Sequence, residues 1–282
     1  MMASTFESGT FEFPVPEHWR ERVGRYLDGS LPIVPARPAA TVVLLRDTPS
    51  GPEVYLVKRA ASMAFAGGRY AFPGGRVDPD DALPLPWLGP DAARWGERFG
   101  LPSENAYALV ASAVRETFEE TGVLFAGTDA SSVLGDVSGT AWEEQRRRIE
   151  TREMTLAAAL EARDLALRAD LLGAWSRWVT PEFEERRYDT AFFVAALPAG
   201  QAARDVSGET ESTAWTSPAQ ALADFEEGKV LMLPPTFTTL RQLLPYPTAA
   251  DALAASRERA LHPVQASVRV REDGTAALIW TV

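Results

Sequence analysis

Residues 105–122 constrain this chain more than any other stretch, because they suit only one backbone period. At 100° per residue, Tyr107, Val110, Ala111, Val114 and Phe118 fall on one apolar stripe, suited to a helix docked on a sheet. Glu116, Glu119 and Glu120 stand at i, i+3 and i+4, so their carboxylates share the opposite face. Gly122 then offers the residue that most easily takes the left-handed conformation closing a helix.

The same spacing describes an ordinary solvated helix face, and two details weigh against that reading. Between Asn105 and Thr121 the only basic residue is Arg115, so the acids have little compensation. They also occupy the last turns, where the macrodipole disfavours negative charge by roughly 0.3–1 kcal/mol per exposed group. The like charges at Glu116 and Glu120 add roughly 0.2–0.5 kcal/mol. A bound divalent cation would reverse the sign of both terms, and hard oxygen ligands suit Mg²⁺ or Mn²⁺.

Arg115, Glu116, Glu119, Glu120, Gly122 and Val123 together resemble the second half of the Nudix box, with Thr117 where an aliphatic residue is usual. Gly75 followed by Asp81 resembles the first half, with Asp81 in place of the usual Glu and Phe72-Pro73-Gly74-Gly75 as the approach. Residues 82–114 separate the two halves, which places a long insertion, about 79–104, inside the box. A second resemblance lies in Trp178-Val179-Thr180-Pro181 and in Arg186-Arg187-Tyr188-Asp189-Thr190-Ala191-Phe192-Phe193. It points to the Nudix branch that includes the peroxisomal coenzyme A diphosphatases. Arg59, Gly68 and Phe72 to Gly75 partly resemble the upstream signature of coenzyme A-cleaving members, with Phe65 near the place of its second Arg.

That resemblance implies an α/β/α sandwich around a mixed β-sheet. It implies hydrolysis of a nucleoside diphosphate derivative, with coenzyme A or an acyl-coenzyme A preferred and ADP-ribose or dinucleotide cofactors as alternatives. A nucleotide-sensing module without catalysis is a further alternative, which the full set of box acids disfavours. Glu116, Glu119, Glu120 and Gly75 are the expected metal site for Mg²⁺ or Mn²⁺. Glu119, Glu120, or an acid of the 205–215 loop (Glu209 or Glu211) would serve as base, and Arg115 would orient a carboxylate. Gly74 and Gly75 would let the backbone approach a diphosphate, and Arg59, Arg186 and Arg187 are candidates to grip phosphate oxygens. The family also carries the expectation of a homodimer, through the insertion or the N-terminal arm.

Composition narrows the rivals. The chain has 282 residues, 46% hydrophobic content and no cysteine, which leaves a substantial core and excludes thiolate zinc sites and Cys nucleophiles. A net charge of −11 argues against a general nucleic-acid binder. Lys58 and Lys229 are the only lysines, and neither completes a P-loop. His18 and His262 belong to no recognisable triad. No apolar run approaches the ~18 residues that span a membrane, and a cytoplasmic protein is expected.

Along the chain, residues 1–38 read as a lead-in packed on the main domain. Residues 39–246 read as that domain, and 247–282 as a C-terminal helix and hairpin. Strands are expected at 39–46 and 54–58 as a hairpin, at 70–72, 123–126, 175–181 and 186–197, with a terminal hairpin around Asp273-Gly274. Residues 140–172 read as helical, with Arg146, Arg147 and Arg148 on a solvated face.

Overall fold

The computed structural model describes residues 9–15, 17–62, 66–208 and 210–282. It opens with β1 (Thr10–Pro14) and α1 (Arg20–Leu27), then the expected hairpin of β2 (Arg37–Thr48) and β3 (Gly51–Arg59). Thr48 Oγ1 donates to the Gly51 carbonyl at 2.8 Å and ties that turn. The short strands β4 (Tyr70–Ala71) and β5 (Gly74–Arg76) pair with β3 and β2 respectively.

The insertion is folded throughout. It contains a 3₁₀ turn over Pro79–Ala82, β6 (Trp87–Leu88) and α2 (Ala92–Phe99). The Asp91 carboxylate accepts the Arg94 N–H at 2.8 Å and caps α2. The helix read from sequence follows as α3 (Ser103–Thr121), closed by Gly122 at φ 72°.

Two expectations downstream are corrected. No strand runs over 123–126; only β7 (Ala126–Gly127) forms. The Gln201 side chain takes both backbone groups of Leu124, at 2.9 Å each, and so replaces a ladder partner. The helical reading of 140–172 breaks into α4 (Thr140–Glu150), α5 (Leu156–Glu161), β8 (Ala166–Arg168) and a 3₁₀ turn over Ala169–Leu171. Arg152 and Asp164 adopt positive φ and interrupt the helix, while the fully buried Leu167 draws β8 between β6 and β7.

The remainder is β9 (Leu172–Val179), β10 (Tyr188–Ala196), β11 (Thr210–Thr216), α6 (Pro218–Glu226), α7 (Pro234–Leu243), α8 (Ala249–Ser256), β12 (Pro263–Gln265), β13 (Ser267–Val270) and β14 (Ala276–Thr281). Strand order in the main sheet is β11-β3-β2-β10-β9-β12. The β2–β10 and β9–β12 pairs are parallel and the other pairs on this path antiparallel, so the sheet is mixed.

Period-two alternation sends Ala40, Val42 and Leu44 to one face, against Val110, Val114 and Phe118 of α3 and Trp95 and Phe99 of α2. Val43 and Leu45 face the other way, toward α6, α7, α8 and a small sheet of order β1-β14-β13. Helices therefore cover both faces, the α/β/α sandwich expected. The C-terminal segment is built into it: β12 pairs with β9, and Ala249 and Ala252 of α8 are buried in the second core.

Candidate active site

The site is organised where β5 crosses the acidic face of α3. Thr41, Ala40 and Ala39 of β2 pair with Gly74, Gly75 and Arg76. A Cβ on Gly75 would stand 2.5 Å from the Glu116 carboxylate, and one on Gly74 would meet the backbone of Ala40 and Thr41. Both glycines are thus required by close approach. Gly74 also sits at φ 153°, and its N–H donates to Glu120 Oε2 at 2.9 Å.

Arg115 is the hub of the cluster. Its Nε and Nη2 donate to the two oxygens of Asp81 at 2.8 and 2.9 Å, a bidentate pair in which Asp81 is almost wholly buried. Asp81 is itself fixed by the Asp78 N–H at 2.8 Å. Nη2 of Arg115 also donates to the Arg76 carbonyl at 2.9 Å. Nη1 lies between Glu116 Oε1 and Glu119 Oε1, at 2.9 and 3.1 Å. Thr117, the departure from the aliphatic pattern, is accommodated because its buried hydroxyl donates to the Ala113 carbonyl at 2.7 Å.

Electrostatics follow from this crowding. Burial pushes the Glu116 carboxyl up to about 7, with Glu119 adding repulsion and Arg115 opposing both. Burial raises Glu119 as well, again against the pull of Arg115. For Arg115 burial disfavours the charge, but Asp81, Glu116 and Glu119 outweigh it and its pKa is raised. One guanidinium serves three acids, while Glu120 meets a backbone N–H. The donor set is all oxygen and short of positive charge, which fits a hard divalent cation. Among the described residues no three such side chains are already drawn into a closed cage.

Gly74, Gly75, Arg59, Arg115, Glu116, Glu119, Glu120 and Arg186 border one cavity of about 1240 Å³. Arg59 Nε is buried there without a hydrogen-bond partner among the described residues. Arg187 lies elsewhere: its guanidinium is buried and donates to the Thr180 and Val34 carbonyls at 3.1 and 2.7 Å, clamping the segment before β2. Glu211 is on β11, paired at 2.6 Å with Lys58 and outside the cavity wall. Glu209 falls outside the described residues, and neighbouring Ser207 borders the cavity.

Sequence reasoning overlooked Arg76, which borders the cavity, and Arg146. Arg146 was expected on a solvated face; it is buried and donates to the Glu119 carbonyl at 2.6 Å. A cation at the C-terminus of α3 offsets both the helix dipole and its acids. Its ion pairs with Glu143 and Glu150 on its own helix follow local spacing, but the contact with the Glu119 carbonyl, on another helix, leaves no local pattern.

A helix that brings carboxylates to a glycine turn over a mixed sheet defines a Nudix domain. The chain belongs to that family: the model for the NUDT19 Nudix domain matches residues 86–243. It is 27% identical to the acyl-coenzyme A diphosphatase NUDT19 of Xenopus laevis over 232 residues, covering 68% of this chain and 59% of that protein. The human protein of the same name is 26% identical over 294 residues, covering 89% of this chain and 76% of the relative. A Nudix hydrolase from Alicyclobacillus acidocaldarius superposes with a TM-score of 0.65 at 30% identity, covering 79% of this chain and 97% of that one. Among the described residues no helix is long and apolar enough to cross a membrane.

Proposed function

We propose that this protein hydrolyses the diphosphate linkage of coenzyme A or an acyl-coenzyme A, with Mg²⁺ or Mn²⁺ as cofactor. The observation that carries this reading is the buried, under-compensated carboxylate cluster at one end of a cavity that also presents Arg59, Arg76 and Arg186 without acidic partners among the described residues. The printed names of the curated relatives support the substrate class.

In this reading Glu116, Glu119, Glu120 and the main chain at Gly75 hold the ions. Bound there, a dication would neutralise the diphosphate and lower the pKa of the attacking water. Arg115, anchored on Asp81, fixes the directions of Glu116 and Glu119. Gly74 and Gly75 give the diphosphate room against the backbone, and Arg59, Arg76 and Arg186 meet phosphate oxygens. Glu119 or Glu120 accepts the water proton, with Glu209 as a further candidate. The water oxygen bonds to phosphorus, the phosphoanhydride bond breaks, and the products are adenosine 3′,5′-bisphosphate and a phosphopantetheine.

The test is turnover of coenzyme A and acyl-coenzyme A with each metal, products identified by mass. Activity is expected with metal and lost by about 10²-fold or more in Glu120→Gln, on the scale of removing a catalytic acid or base. A wild-type chain inert toward both compounds with both metals would refute the proposal.

A further inference from the structure

The cavity extends well beyond the carboxylates. Thr41 pairs with Gly74 on one side and Phe192 on the other, and Phe192 meets Phe72 edge-on at 6.5 Å. Phe72 and Phe192 belong to the same apolar cluster as Phe237, Leu278 and Trp280. The wall thus passes without a break from the glycine turn to an apolar arm. Phe13, Phe225, Phe237, Ala266, Leu278 and Trp280 line that arm. Four of them (Phe13, Ala266, Leu278 and Trp280) lie outside residues 86–243, the span that the family model matches.

Leu278 and Trp280 are two apart on β14 and so face one side. Trp280 is only 3% exposed, stacks on Phe11 at 5.6 Å and packs on Phe237 at 6.3 Å. Its indole Nε1 is buried with no hydrogen-bond partner among the described residues. A buried donor left without an acceptor is costly, and a ligand carbonyl would satisfy it. The cavity volume, about 1240 Å³, also exceeds the roughly 300–1,000 Å³ usual for small-ligand sites.

We infer that this arm, roofed by the terminal sheet, takes the acyl end of a thioester substrate and sets chain-length preference, with Trp280 Nε1 donating to the acyl carbonyl. The inference rests on the coenzyme A reading above. It is tested by comparing kcat/KM for octanoyl-coenzyme A with that for free coenzyme A in wild type, Ala266→Trp and Trp280→Phe.

Ala266→Trp fills the arm from a half-buried position, and Trp280→Phe keeps an aromatic ring while deleting the donor. The ratio is expected to fall roughly tenfold in each, as for the loss of one specific pocket contact. Thermal unfolding of each variant checks that the fold is retained. Ratios within about twofold of wild type in both variants would overturn the inference. A wild-type chain that cleaves neither compound would refute the underlying reading instead, a result distinct from unchanged selectivity.

Discussion

Asp81 stands where the Nudix pattern has Glu, and its carboxylate reaches its partner all the same. It binds Arg115 through both oxygens, and Arg115 in turn directs Glu116 and Glu119. Removing one member of a buried pair leaves the other charged and unmatched, at a cost of about 3–5 kcal/mol. Asp81→Ala is therefore expected to lower unfolding stability by that amount in denaturant melts, and to depress turnover because Glu116 and Glu119 lose their fixed guanidinium. A variant as stable as wild type would show that the pair contributes nothing. From sequence, Asp81 was visible only as an imperfect box position. Its burial and its bidentate contact span 34 positions, from 81 to 115, and no local periodicity reports on such a pair.

Among the elements, α3 was the most legible and the insertion the least. The apolar stripe of α3 and its glycine stop are local features, and the structure reproduces both. Residues 123–126 look like a strand because they are apolar, yet the backbone of Leu124 is satisfied by a side chain 77 residues away. In the insertion, which carries no long apolar period, α2 is part of the core: Trp95 stacks near Phe99 at 6.2 Å, and both meet Phe193 of β10 edge-on. Arg98 further joins α2 to the carbonyls of Ser256 and Arg259 at 2.7 and 2.9 Å. Trp95→Ala is expected to destabilise the protein by about 3–5 kcal/mol, the range for truncating a buried aromatic. A denaturation midpoint unchanged from wild type would exclude this core role.

At the scale of the molecule, the mixed sheet separates two jobs. One face carries α3 and the carboxylates that reach the glycine turn. The other carries the layer of helices and terminal strands that roofs the cavity. Sequence alone indicated the first through the box. The terminal hairpin was legible, but its union with β1 was not, because Phe11 and Trp280 pair across 269 positions. Of the eight tryptophans in the chain, Trp19, Trp178 and Trp280 border the cavity. Indole emission depends on what touches the ring and its N–H, so the wall of this chamber doubles as an optical reporter. Titration with octanoyl-coenzyme A in EDTA is expected to change the emission spectrum in a way that free coenzyme A does not and that Trp280→Phe diminishes. Identical spectra for the two ligands would mean that the alkyl chain never reaches that indole.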